Sequence, residues 1–120
     1  MEKSISVSTL NKTIKRFWKN ENHSDVYYLG LCSEFAIALR RFLNSGTIYK
    51  AGLMHTCLKY KDHYCDIRGC YPKSKYRSVA PSLSLLPATK SEIQHINNLL
   101  EKDTVKKILS GLKKAQKDVK

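Results

Sequence analysis

Gly30-Leu31-Cys32-Ser33-Glu34-Phe35-Ala36-Ile37-Ala38-Leu39-Arg40-Arg41-Phe42-Leu43 is the stretch whose reading decides the fold. Phe35, Ala36, Leu39, Phe42 and Leu43 recur at helical spacing and make one wide apolar face, with Glu34, Arg40 and Arg41 off it. Asn44-Ser45-Gly46 then supplies a stop signal. The pattern predicts a helix over 31–43, the most buried of the protein. Cys32 stands at its start, just after a glycine. Unsatisfied backbone N–H groups and the positive end of the helix dipole favour a thiolate there, an advantage that a cysteine in mid-helix lacks.

The residues that follow read as strands. Thr47 to Met54 and His55 to Tyr60 carry β-branched and aromatic residues, Lys61-Asp62 makes a turn, and His63 to Arg68 returns as the second arm of a hairpin before Gly69. With Lys61-Asp62 as a two-residue loop, Tyr60 stands opposite His63, and Cys57 opposite Asp66. Side chains alternate, so His55, Cys57, Tyr64, Asp66 and Arg68 share one face, and Asp66 becomes a diagonal neighbour of His55. A four-residue loop preserves this arrangement, whereas a three-residue loop sends Asp66 to the opposite face.

A cysteine at a helix start, a histidine on a strand and an aspartate on the next strand form a working nucleophile. The histidine takes the thiol proton and later protonates a leaving group; the aspartate holds the imidazole in the useful tautomer and stabilises its cation. The N–H of Cys32 is one oxyanion donor, and Asn20, Asn22 and Tyr28 are side-chain candidates for a second.

Gly30-x-Cys32-x-x-Phe35-Ala36-x-Ala38-Leu39, then His55, then Asp66-x-x-Gly69 resembles the core of papain-like and transglutaminase-like cysteine enzymes over residues 30–69. The resemblance implies a Cys helix packed on an antiparallel sheet, with Cys32 as nucleophile, His55 as base and Asp66 as the orienting acid. It implies a hydrolase or acyl-transferase acting on an amide or thioester, of protease, amidase or deamidase type.

Flanking segments complete the expected architecture. Ser8 is placed to cap a helix reaching about Lys19, with Leu10, Ile14, Phe17 and Trp18 at helical spacing. Val26 to Leu29 is a short apolar stretch. Residues 70–87, with three prolines and many serines, read as irregular. Thr89-Lys90-Ser91-Glu92 is a capping box for a helix using Ile93, Ile96, Leu99 and Leu100. Asp103 is placed to cap a last helix with Val105, Ile108, Leu109 and Leu112 on one face and Lys106, Lys107, Lys113 and Lys114 on the other. The expectation is one α+β domain over residues 1–120, in which the Cys helix packs on an antiparallel sheet of about three strands between N- and C-terminal helices.

Composition narrows the functional classes. Among 120 residues, 22 Lys plus Arg against 10 Asp plus Glu leave a net charge of +12, which attracts anions. Seventeen of the basic residues are lysines. Lysine is a hydrated point charge and arginine the bidentate reader of guanine, so the balance favours steering toward an acidic protein or peptide over sequence-specific nucleic-acid binding. The longest run without a charge is Ser78 to Thr89, too short and too rich in proline to span a bilayer. With no apolar leader at the N-terminus, a cytoplasmic protein with reduced thiols is expected, acting without cofactor or metal.

Two other readings stay open. His55-x-Cys57, His63-x-Cys65 and Cys70 supply zinc-ligand types, although the register divides them between two faces and no Cys-x-x-Cys knuckle is present. Cys57, Cys65 and Cys70 are otherwise expected to pack under the helices. The alternative from another class is a noncatalytic basic binding protein, of the kind represented by small phage- or plasmid-encoded inhibitors, that occludes an acidic partner.

Overall fold

A computed structural model describes residues 5–21, 32–51, 55–76 and 85–119. Ser6, not Ser8, caps the first helix: its Oγ accepts the Thr9 N–H at 3.0 Å, so helix α1, Val7–Glu21, starts two residues earlier than expected. Leu10, Ile14 and Phe17 point inward and are fully buried, as is Thr13, whose hydroxyl donates to the Thr9 carbonyl at 2.8 Å. Trp18 departs from the expected apolar face and is 37% exposed, because the helix period carries it past the edge of the buried stripe.

Helix α2 (Cys32–Leu43) is buried along almost its whole middle, from Glu34 to Leu39, and ends at Asn44 in the left-handed conformation, φ 51°. Glu34 is not the surface residue that its place off the apolar face suggests. Its Oε2 accepts the backbone N–H of Glu101 at 3.4 Å and places a carboxylate at the start of the last helix.

Strands β1 (Thr47–Ala51), β2 (Thr56–Tyr60), β3 (His63–Asp66), β4 (Gly69–Pro72) and β5 (Leu85–Pro87) form one antiparallel sheet in the order β4-β3-β2-β1-β5. The β2–β3 hairpin has the expected register, Tyr60 opposite His63 and Leu58 opposite Cys65. Lys61 and Asp62 both take positive φ, 47° and 62°, as a two-residue type I′ turn requires. The sheet holds five strands rather than about three. Strand β5 and all of β4 after Gly69 lie within the stretch read as irregular; the two strands are only four and three residues long, each ends on a proline, and both sit at sheet edges, where a missing N–H is tolerated. A tight turn at Ile67-Arg68 joins β3 to β4. Gly69 closes it at φ 129°, and a Cβ there would stand 2.3 Å from Asn11 Oδ1. That same oxygen accepts the Cys70 N–H at 2.9 Å and ties α1 to β4.

The two faces of the sheet differ. Ile48, Leu58, Tyr60, Cys65 and Cys70 face the helices and join their apolar residues in the main core. Cys57, Tyr64 and Tyr76 form a second cluster on the other face, with Tyr49, Tyr71 and Leu85 packed against it. Cys57 thus corrects the expectation that all three of these cysteines pack under the helices, because strand alternation turns it away from Leu58.

Helix α3 (Lys90–Leu99) has the expected capping box: Thr89 Oγ1 accepts the Glu92 N–H at 3.2 Å, and Glu92 Oε1 accepts the Thr89 N–H at 2.9 Å. Glu92 also pairs with Lys50 of β1. Leu99, expected on the apolar face, is 69% exposed, and only Ile93, Ile96 and the following Leu100 lean on the core. Helix α4 (Lys102–Asp118) starts after Glu101, which makes no side-chain cap; Asp103 lies inside the first turn, where its charge still opposes the helix dipole. Val105, Ile108, Leu112 and Ala115 are its buried stripe, against α1 and α2. The architecture is α+β, with the Cys helix on an antiparallel sheet and helices before and after it. No helix among the described residues is long and apolar enough to cross a membrane.

Candidate active site

Cys32 opens α2, His55 immediately precedes β2, and Asp66 ends β3. The fold brings the three together. His55 Nε2 lies 3.1 Å from Asp66 Oδ2, both side chains almost wholly buried, and Cys32 is near enough to His55 and to the Thr56 backbone N–H for both to act on its thiol. With Nε2 committed to Asp66, Nδ1 is the ring nitrogen left for proton exchange with Cys32. Ser33 and Thr56 join the helix start to the strand through a 3.2 Å hydroxyl contact.

Asp66 is held from several sides. Arg68 donates its backbone N–H to Oδ1 at 2.8 Å and its guanidinium Nη2 to Oδ2 at 2.7 Å, and the Tyr76 hydroxyl donates to Oδ2 at 2.9 Å. The turn after β3 supplies Arg68, and the segment after β4 supplies Tyr76. Neither role was read from the sequence. Arg68 was legible in principle, since it shares the face of Asp66 two residues away. Tyr76 is one of seven tyrosines whose sequence positions place them around the site, and nothing in the sequence set it apart from the other six.

These contacts set the protonation states. Burial disfavours the Asp66 carboxylate, but the bonds from His55 and Arg68 outweigh it and hold the carboxyl below its ordinary range. Burial likewise disfavours the His55 cation; the hydrogen bonds with Asp66 and Cys32, with their charges, prevail and raise His55 to about 9. For Cys32, burial pushes the thiol up, while His55 and the Thr56 N–H pull it down more strongly and leave it below the ordinary thiol value. Cys57 and Cys65 go the other way. Burial raises Cys57 to about 12, and the neighbouring Cys70 together with burial raises Cys65. All four cysteines are thiols, and Cys32 is shifted toward ionisation where Cys57 and Cys65 are shifted away from it.

Among the side-chain oxyanion candidates, Asn20 is exposed in the last turn of α1, and Asn22 and Tyr28 lie outside the described residues, as do Val26 to Leu29 and Gly30. The zinc-ligand types divide between faces: Cys57 lies with the tyrosines, Cys65 and Cys70 lie under the helices, and His63 Nδ1 bonds the Lys61 carbonyl at the hairpin turn. Among the described residues no three His, Cys, Asp or Glu side chains are grouped as metal ligands. Comparison with protein-family models, with curated proteins and with solved structures gives no match.

Proposed function

We propose that the protein is a cysteine hydrolase or acyl-transferase acting on an amide or thioester, in the manner of papain-like and transglutaminase-like enzymes. The observation that carries this reading is the line from half-buried Cys32 to buried His55 and Asp66, in which an imidazole raised to about 9 lies between a lowered thiol and a lowered carboxyl. An imidazolium between two anions is the resting state of a thiolate nucleophile. The Cys32 sulfur attacks the carbonyl carbon, and the oxygen takes up negative charge near the backbone N–H groups at the start of α2. His55 then delivers its proton to the leaving amine or thiol as the acyl-enzyme forms. Water, or an acceptor amine in a transferase, gives its proton to His55 and releases the acyl group. Asp66 stays ionised throughout.

The net charge of +12 supports an acidic protein or peptide as substrate, drawn in by steering. Lysine-dominated contacts bind nucleic acid weakly and without sequence preference. Filter binding at about 0.15 M salt therefore gives equal retention of any one sequence and its scrambled competitor.

Alkylation by iodoacetamide at about pH 5.5, read by peptide mass spectrometry, tests the nucleophile. Cys32 labels much faster than glutathione, and His55→Ala abolishes the advantage. Labelling of Cys32 at the glutathione rate would refute the proposal. Full biological activity in Cys32→Ser would favour the noncatalytic binding protein instead, since loss of a nucleophile costs orders of magnitude in rate.

A further inference from the structure

Three side chains converge on one oxygen. Asp66 Oδ2 receives His55 Nε2 at 3.1 Å, the Tyr76 hydroxyl at 2.9 Å and Arg68 Nη2 at 2.7 Å, while Arg68 N holds Oδ1 at 2.8 Å. The Tyr76 ring lies nearly parallel to the imidazole, at 18° with centroids 6.4 Å apart, and the Arg68 guanidinium stands 5.2 Å from the centre of that ring. Tyr76 is only 6% exposed. One side chain therefore touches the orienting carboxylate with its polar end and flanks the base with its face.

We propose that Tyr76 is a positioning residue of the Cys32–His55–Asp66 site, its ring fixing the plane of His55 and its hydroxyl limiting how strongly Asp66 holds the imidazolium. The inference rests on the reading of those three residues as a triad. An ionised carboxylate has no proton, so the hydroxyl is the donor in this bond. A carboxylate oxygen shares its lone pairs among its donors, and each additional donor weakens its hold on the others. With Arg68 fixing the carboxylate in place, the Tyr76 hydroxyl draws charge away from the His55 bond without moving it. A base held too tightly would stay protonated and could not surrender its proton to a leaving group. The ring does the opposite service: it blocks rotation of the imidazole and keeps water from the His55–Asp66 bond. Around the imidazole and its carboxylate stand Cys32 from α2, Cys57 from β2, Asp66 from β3, Arg68 from the β3–β4 turn and Tyr76 itself. Cys57 and Tyr76 remain protonated, because burial and the Asp66 charge both oppose their ionisation.

The two functions separate by substitution. Titration of the His55 ring by nitrogen-15 NMR is the readout, with thermal unfolding recorded alongside. Tyr76→Phe keeps the ring and removes the donor, and the His55 midpoint rises by about half a pH unit or more. Tyr76→Leu removes both, and the midpoint falls toward the ordinary value of 6.5. A midpoint unchanged or lowered in folded Tyr76→Phe overturns the role of the hydroxyl. A midpoint unchanged in both variants, with only the melting temperature reduced, reduces Tyr76 to a packing residue and overturns the whole inference. Because the readout is the ring itself, it is independent of iodoacetamide labelling: slow labelling of Cys32 in the wild type would refute the nucleophile while leaving the His55 titration to decide on Tyr76.

Discussion

His55 Nε2 meets Asp66 Oδ2 at 3.1 Å along a diagonal of the β2–β3 ladder, one residue from each side of a two-residue turn. The bond exists because Lys61 and Asp62 both accept positive φ. One residue more in that turn would carry Asp66 to the helix-facing side of the sheet. The site is thus set by a surface turn far from its chemistry.

The triad has a characteristic linkage to stability. In the proposed ion pair, native Cys32 is ionised and His55 protonated, whereas between pH 6.5 and 9.0 the unfolded chain holds a protonated thiol and a neutral imidazole. Both states bind one proton, so the pair contributes no slope to stability in that window. In Cys32→Ser only His55 remains, raised by Asp66. The native state then binds the extra proton, and stability falls as pH rises from 6.5, by up to about 1.4 kcal/mol per unit. Urea denaturation of both proteins at a series of pH values checks the difference in slope; identical slopes would exclude the ion pair.

Asp66→Asn keeps one amide oxygen as an acceptor but takes the carboxylate charge away from both Arg68 and His55. A loss of about 3 kcal/mol is expected at neutral pH, the usual cost of removing one partner from a buried pair. The His55 titration should drop steeply in the same protein, since its burial is then opposed by Cys32 alone. The urea midpoint and the ring titration measure the two effects separately.

Gly111→Ala sets helix propensity against packing. A methyl at that position would stand 2.5 Å from Cε1 of Phe17, a ring with no exposure, where α4 crosses α1. Propensity alone predicts a gain of about 1 kcal/mol. Overpacking against an immobile ring costs about 2 kcal/mol, so the variant is expected to be the less stable, with a lower urea midpoint and an unchanged denaturant slope.

Thr89→Ala removes the capping box from a helix that has no fully buried residue. The cost is about 1 kcal/mol, and it should appear locally. Amide exchange across Lys90–Leu99 accelerates several-fold, whereas the core amides of α2 keep their protection, because α3 can open without the rest of the fold.

What the amino-acid order determined by itself was everything with a short repeat. The apolar period and the Asn44 stop produce α2, Thr89 and Glu92 start α3, and strand alternation puts His55 and Asp66 on one face once the structure selects the two-residue turn at Lys61-Asp62 over a three-residue loop. Each of these rests on residues within four positions of one another or on strict alternation along a strand. Only the tertiary structure decided that Ser6 caps α1, that Trp18 is half-exposed and Glu34 buried, that two short strands extend the sheet, and that Cys57 lies away from the helices. It also chose Arg68 and Tyr76 as the groups that hold Asp66. The Tyr76 hydroxyl reaches Asp66 from ten residues downstream, after a strand and an irregular turn whose direction no local pattern specifies. Such partners are selected by the shape of the whole core, which must close before a lone tyrosine can be told from six others.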